Sequence, residues 1–177
     1  MKAVGVFILL VAVAFPSVLP DHSALLQSSP PKTPRIAWEG LAIVVNRSNP
    51  TSDLTMAQLR AMFLGERKWW SHRRRIALAA MRRSSPESQT VLRMIYQMDS
   101  RELDHYFLYQ SFKGENLRRP TTLPAPADVK KFVVSTPGAV GYLRESDIDD
   151  SVKVVRVNGL LPGDDGYPLR LRVRHPK

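Results

Sequence analysis

The sequence contains no cysteine, which excludes a disulfide framework and leaves the buried core to supply stability. Histidine is sparse: His22, His72, His105 and His175 are dispersed, with no His-x-x-x-His spacing, so no metal centre is expected. The acidic run Asp147, Asp149 and Asp150 lacks the Gly and terminal Glu of a calcium loop and reads as a solvated turn. No Gly-Lys-Ser phosphate loop and no nucleophile elbow is present. With no catalytic constellation, an enzyme is not expected, and neither is a cofactor. Negative charge is also in short supply. Sixteen Asp and Glu stand against 26 Lys and Arg, a formal net charge of +10, which favours anionic partners. No nucleic-acid motif accompanies the arginines, so nucleic acid is not among the partners expected. No internal repeat is seen.

Long apolar runs are limited to the beginning. Lys2 is followed by an apolar stretch from Ala3 to Phe15 and then Pro16 and Ser17. The stretch is short for a membrane span and has no basic stop beyond it, so it reads as a secretory signal. Residues 1–24 are taken as a signal peptide, with Ala12-Val13-Ala14 and Ser23-Ala24 as alternative cleavage regions. Residues 25–35, with Ser28, Ser29, Pro30, Pro31 and Pro34, read as a linker. Residues 36–177 then form one domain, long enough to bury about two thirds of its surface. The location implied is exported, in a bacterial periplasm or cell envelope.

Within that domain strands and helices alternate. Ile36 to Asn46 is a strand with a nearly continuous apolar second half, as in the centre of an α/β sheet, and Gly40 marks a bend. Thr55-Met56-Ala57-Gln58 is a capping box, opening a helix that buries Leu59, Met62 and Phe63 and closes at Gly65. Of Trp69 and Trp70, one is expected to plug the core edge and the other to cover a loop. Ile76 to Met81 reads as a buried strand. A second capping box at Asp99 opens a helix on which Leu103, Tyr106, Phe107 and Gln110 share a face, and which ends at Gly114. Arg118 to Pro126 is a Pro-rich loop, Val129, Phe132 and Val133 mark a short helix, and Ala139–Leu143 and Val152–Val157 are strands. Leu169 to Arg174 alternates strictly, as a half-exposed strand does. The pattern predicts an α/β fold with a mixed, mostly parallel sheet flanked by helices.

The segment between Met81 and the next helix carries the chemistry. Arg82-Arg83-Ser84-Ser85 breaks the strand, Ser85 is a good N-cap, Pro86 suits the first helical position, and Val91, Leu92, Ile95 and Tyr96 share a face. A strand feeding a helix through a serine turn gathers hydroxyls and backbone N–H groups at a positive dipole end, which suits an anion. Pro86 removes one donor and Glu87 brings a competing carboxylate; Arg82 and Arg83 act in the opposite sense. An ordinary capped helix accounts for the same residues.

Taken in order, "EGLAIVVNRSNPTSDLTMAQLRAMFLGERKWW", the strand and serine turn, "LDHYFLYQSFKGENLRRP" and "VKKFVVSTPGAVGYL" resemble the phosphate-binding-protein-like family of ABC-transporter solute-binding proteins, from about Ile36 to Leu143. The most specific pieces are "AIVVNRSNP", "FLGERKWW" and "TPGAVGY". The resemblance implies a single type II periplasmic-binding-protein-like lobe, since full-length members have two lobes with the anion between them. It implies a small oxyanion such as phosphate as ligand. Ser85, Pro86, Glu87 and Ser88 stand where the family has a Ser-Gly-Thr loop, Gln89 stands in place of the Arg that follows, and Arg82 matches a preceding basic residue. The contacts implied are Arg82, Ser84, Ser85 and Ser88, with Thr136 and Gly138. An ABC permease or another envelope protein, and a second copy rebuilding the cleft, stay open as partners. The alternative is an envelope interaction module that kept the fold, lost the ligand, and meets a protein or anionic polymer through its basic surface.

Overall fold

Apolar β-branched residues on both faces put β1 (Ile36–Val45) at the centre of the sheet, where Leu41 to Val45 are wholly buried. The structure, a computed structural model, describes residues 36–115 and 117–174; the expected signal peptide and linker lie outside the described residues. The other elements in chain order are β2 (Asp53–Leu54), α1 (Met56–Phe63), β3 (Ala77–Met81), α2 (Pro86–Val91) running into a π-turn (Leu92–Tyr96), α3 (Ser100–Phe112), β4 (Thr121–Leu123), α4 (Pro126–Ser135), β5 (Ala139–Arg144), a 3-10 turn (Glu145–Asp147), β6 (Lys153–Val157) and β7 (Arg170–Arg174).

The seven-stranded sheet has the order β2-β6-β1-β5-β3-β4, with β7 added to β1. β1 is antiparallel to β5, β6 and β7, whereas β2 is parallel to β6, and β3 is parallel to both β4 and β5. Every strand other than β1 therefore runs one way, and β1 alone is reversed, inserted between β5 and β6. This is the mixed, mostly parallel sheet expected. The two-residue β2 and the Pro-rich loop depart from the sequence reading, which has no strand in either place. The loop contains β4, a three-residue edge strand too short to leave an alternation signal.

Gly40 divides β1 in two. Ile36 to Gly40 pairs with β7, and Leu41 to Val45 pairs with β5, with Ile43 to Val45 also on β6. A β-carbon at Gly40 would lie 2.6 Å from Pro162 Cβ, so only glycine fits there. Tyr167 pins the crossover from behind, its hydroxyl donating to the Leu41 carbonyl at 2.9 Å.

Helices α1 and α3 cap as their sequences predict, whereas α4 starts at Pro126 with no side-chain cap and buries Val129 and Val133 with Phe132 half-buried. Thr55 and Gln58 form the capping box of α1, and Leu59, Met62 and Phe63 are fully buried. Gly65 takes φ +77° just beyond the helix. Asp99 and Glu102 do the same for α3. On that helix Leu103 and Phe107 are buried, but Leu108, Tyr109 and Phe112 face outward. Trp70 is buried and donates its indole N–H to the Gly138 carbonyl at 3.0 Å, while Trp69 is half exposed with the Arg75 guanidinium 5.8 Å from its ring.

Candidate functional site

The Arg82–Ser88 turn leaves the C-terminal end of β3, beside the C-terminal end of β5. That edge is where parallel α/β sheets place ligands. Ser85 is the N-cap of α2, its Oγ accepting from the Ser88 N–H at 3.1 Å, and Pro86 fills the first helical position. The Glu87 N–H is the first-turn donor that this arrangement leaves over. Val91, Leu92, Ile95 and Tyr96 are all buried, as their spacing predicts, although the second half of the helix widens to π geometry and stops at Gln97 with φ 54°.

Ser88 is buried and its hydroxyl is committed. It donates to the Met81 carbonyl at 2.9 Å and lies 2.7 Å from the Tyr142 hydroxyl, which itself accepts from the Met81 N–H at 2.9 Å. With the Ser88 proton directed at Met81, the Tyr142 proton must point to Ser88 Oγ. The cluster is thus a closed loop tying β3, α2 and β5 together. Burial raises the Tyr142 phenol above its ordinary range, only partly offset by the Ser88 and Met81 hydrogen bonds.

Arg83 and Gln89 also serve the turn. Arg83 makes a bidentate pair with Asp104 on α3, both contacts at 2.6 Å, and Arg119 approaches the same carboxylate at 3.5 Å. The hydrogen bonds from Arg83 hold the Asp104 carboxyl below its usual range. Gln89 donates its side-chain amide to the Arg83 carbonyl at 2.6 Å, so it clamps the backbone of the turn.

Three groups remain facing outward. Arg82 and Ser84 are exposed, and Ser85 is half-buried with its own hydroxyl proton unspent in the cap. Among the described residues no carboxylate is ion-paired with Arg82. Next to them, Glu87 is 4 % exposed and accepts from Arg144 Nε at the end of β5. Arg144 was not singled out in the sequence. It follows "TPGAVGYL" as an ordinary strand-end arginine, and only the fold brings it to Glu87.

Thr136 and Gly138 do not join this group. Ala77 pairs with Ala139, so both residues lie at the opposite, N-terminal end of β3 and β5. The length of β3 separates them from the serine turn, about 13 Å at 3.3 Å per residue. Gly138 is buried against the Arg75 backbone, where a β-carbon would sit 2.1 Å from the Arg75 oxygen. Its carbonyl accepts from Trp70 Nε1 and from the Ala77 N–H at 3.1 Å. Sequence order brought these residues together with the serine turn; strand direction keeps them apart.

Thr136 instead lines a second, larger cavity of about 640 Å³ at that opposite end. Arg67, Lys68, Arg75, Arg118 and Arg119 surround it, over an apolar floor that includes Met62, Ile76, Leu78 and Phe132. A smaller cavity of about 140 Å³ lies between Ser88, Tyr96, Tyr142 and Phe107. No cluster of three or more potential metal ligands occurs among the described residues.

No protein-family model matches the chain. It is similar to the phosphate-binding protein PstS of Bacillus subtilis, with 26 % identity over 129 residues, covering 72 % of this chain and 39 % of that protein. Among solved structures, a phosphate ABC transporter substrate-binding protein with bound phosphate from Clostridium perfringens superposes with a TM-score of 0.63 at 19 % identity, covering 80 % of this chain and 58 % of that one. An ABC-type phosphate transport receptor from Vibrio cholerae gives 0.57 at 23 % identity over 84 % and 61 %. PstS from Borrelia burgdorferi gives 0.61 at 15 % identity over 77 % and 57 %. The fold is therefore the one these phosphate-binding proteins share, as the order of motifs implied. The chain spans about two fifths of the length of the curated relative and about three fifths of the solved structures.

Proposed function

We propose that this chain, built on the fold of phosphate ABC-transporter substrate-binding proteins, is an exported, non-enzymatic binding lobe that recognises phosphate or another small oxyanion at the Arg82–Ser88 turn. One observation carries the reading. Exposed Arg82 stands with the Ser84 and Ser85 hydroxyls at the C-terminal end of β3, in a fold that one relative uses while holding phosphate. Arg82 supplies charge, Ser84 and Ser85 donate, and Ser88 holds the turn in place through Met81 and Tyr142. Residues 1–24 act as the export signal and 25–35 as a spacer. A second copy, or an envelope partner such as an ABC permease, is proposed to face the turn across the ligand.

A second reading is favoured by the Glu87–Arg144 pair. An internal carboxylate already occupies the nearby cation and repels an incoming anion. In that case the lobe has kept its fold and meets partners through its basic surface. Calorimetric titration of the purified domain with phosphate and sulfate separates the two. The expected result is saturable oxyanion heat in wild type, weakened by Arg82→Ala. Absence of any oxyanion heat in wild type overturns the oxyanion reading and leaves the interaction module.

A further inference from the structure

The cavity at the N-terminal end of β3 has a composition of its own. Its walls hold Arg67, Lys68, Arg75, Arg118 and Arg119, and no carboxylate lines it. The nearest compensation is thin. Glu115 reaches Lys68 only at 3.8 Å, with both side chains partly in water, and Asp104 is already taken by Arg83 when Arg119 approaches it at 3.5 Å. Among the described residues Arg75 and Arg118 have no acidic partner. Cations gathered on one concave surface repel each other, and an anion of matching charge relieves that repulsion. The floor differs in kind, because Ile76, Leu78 and Phe132 offer an apolar surface.

Size narrows the occupant. A cavity of about 640 Å³ falls in the range of small-molecule sites, roughly 300–1,000 Å³, and an inorganic phosphate would leave most of it empty. The walls call for several negative charges, and the floor calls for an apolar body attached to them. Half-exposed Trp69 follows the lining residue Lys68 in sequence, bridges to the lining residue Arg75 and has that guanidinium 5.8 Å from its ring, a pairing suited to stacking a flat ring. We propose that this cavity is a second binding site, distinct from the serine turn, for an organic di- or triphosphate carrying a planar ring, the class to which nucleoside diphosphates belong. Thr121 and Thr136, also on the lining, add hydroxyl donors.

The test is titration of the full domain with ADP, pyrophosphate, adenosine and inorganic phosphate, read by calorimetry and by tryptophan fluorescence. ADP is expected to bind at least tenfold more tightly than either pyrophosphate or adenosine alone. Arg75→Ala and Arg118→Ala are each expected to weaken ADP at least tenfold, the value of one charge-assisted hydrogen bond. Arg82→Ala at the serine turn and Arg172→Ala on β7 are expected to leave it unchanged. Equal weakening by Arg172→Ala would mean diffuse attraction to a basic surface and would overturn the proposal. So would ADP no tighter than pyrophosphate, or no binding at all in wild type with its native denaturation midpoint. Because Arg82→Ala separates the two sites, loss of phosphate binding at the serine turn leaves this result standing.

Discussion

Replacing Glu87 by Gln asks whether the buried carboxylate holds the place of a ligand. The change keeps the shape and one acceptor oxygen but removes the charge facing Arg144. Removing one partner of a fully buried ion pair costs about 3–5 kcal/mol. Here the Arg144 side chain is 28 % exposed, so water can solvate the orphaned guanidinium, and the Gln oxygen can still accept its hydrogen bond. The expected loss is therefore smaller, about 1–2 kcal/mol, or roughly 0.5–1 M in a urea midpoint for an ordinary slope. In the same variant an oxyanion gains an uncompensated cation and loses a repelling neighbour. Its affinity should rise about tenfold or more, the value of a charge-assisted hydrogen bond. Ligand at a hundred times its Kd adds about 2.7 kcal/mol, enough to carry the variant above its ligand-free wild-type midpoint. The assay is urea denaturation followed by tryptophan fluorescence, with and without phosphate. A fall in midpoint that phosphate does not restore refutes the ligand reading, and an unchanged midpoint refutes the ion pair.

Three further outcomes are expected. Ser88→Ala and Tyr142→Phe should each destabilise by about 1–3 kcal/mol, because each leaves buried polar partners unsatisfied, and the double variant should fall short of the sum; additive effects in denaturation would mean that the hydroxyls do not form one loop. Phe63→Ala should cost about 3–5 kcal/mol, since Phe63 is fully buried with its ring edge-on to Tyr96 at 5.7 Å; a wild-type midpoint would contradict that packing. Burial raises the phenols of Tyr96, Tyr142 and Tyr167, so the folded state holds these protons more tightly than the unfolded chain. The stability they contribute is present below the ordinary tyrosine pKa, about 10, and is lost as pH rises beyond it; thermal melts from pH 9 to 11 should show the decline, and a flat profile would contradict it.

Local chemistry was the most legible part of the sequence. Thr55 with Gln58, Asp99 with Glu102, and Ser85 before Pro86 all cap the helices they predict, because a cap depends on residues within one turn. The buried stripe of α1 and the outward-facing Arg170 and Arg172 of β7 follow from periodicity in the same way. Relationships between distant segments were not legible. The reversed direction of β1 needs neighbours from the far end of the chain. The separation of Thr136 and Gly138 from the serine turn depends on which ends of β3 and β5 coincide. Likewise, the roles of Ser88 and Glu87 depend on Tyr142 and Arg144, more than fifty residues away. The resemblance to phosphate-binding proteins supplied the fold, but a motif alignment carries no information about which hydroxyls a particular chain has already spent.

The reversed central strand also bears on how the chain reaches its native state. β1 is the first strand described, yet both of its core neighbours and its outer partner come from residues 139–174. Loop-closure entropy must be met before those pairings return anything, so folding is slow relative to a chain of local contacts. During synthesis, Leu41 to Val45 have no sheet to enter until β5 and β6 have emerged. Until those strands arrive, the chain holds β1 unpaired. It also exposes an apolar strand with two unpaired edges over that time, a hazard for aggregation that a holding chaperone would relieve.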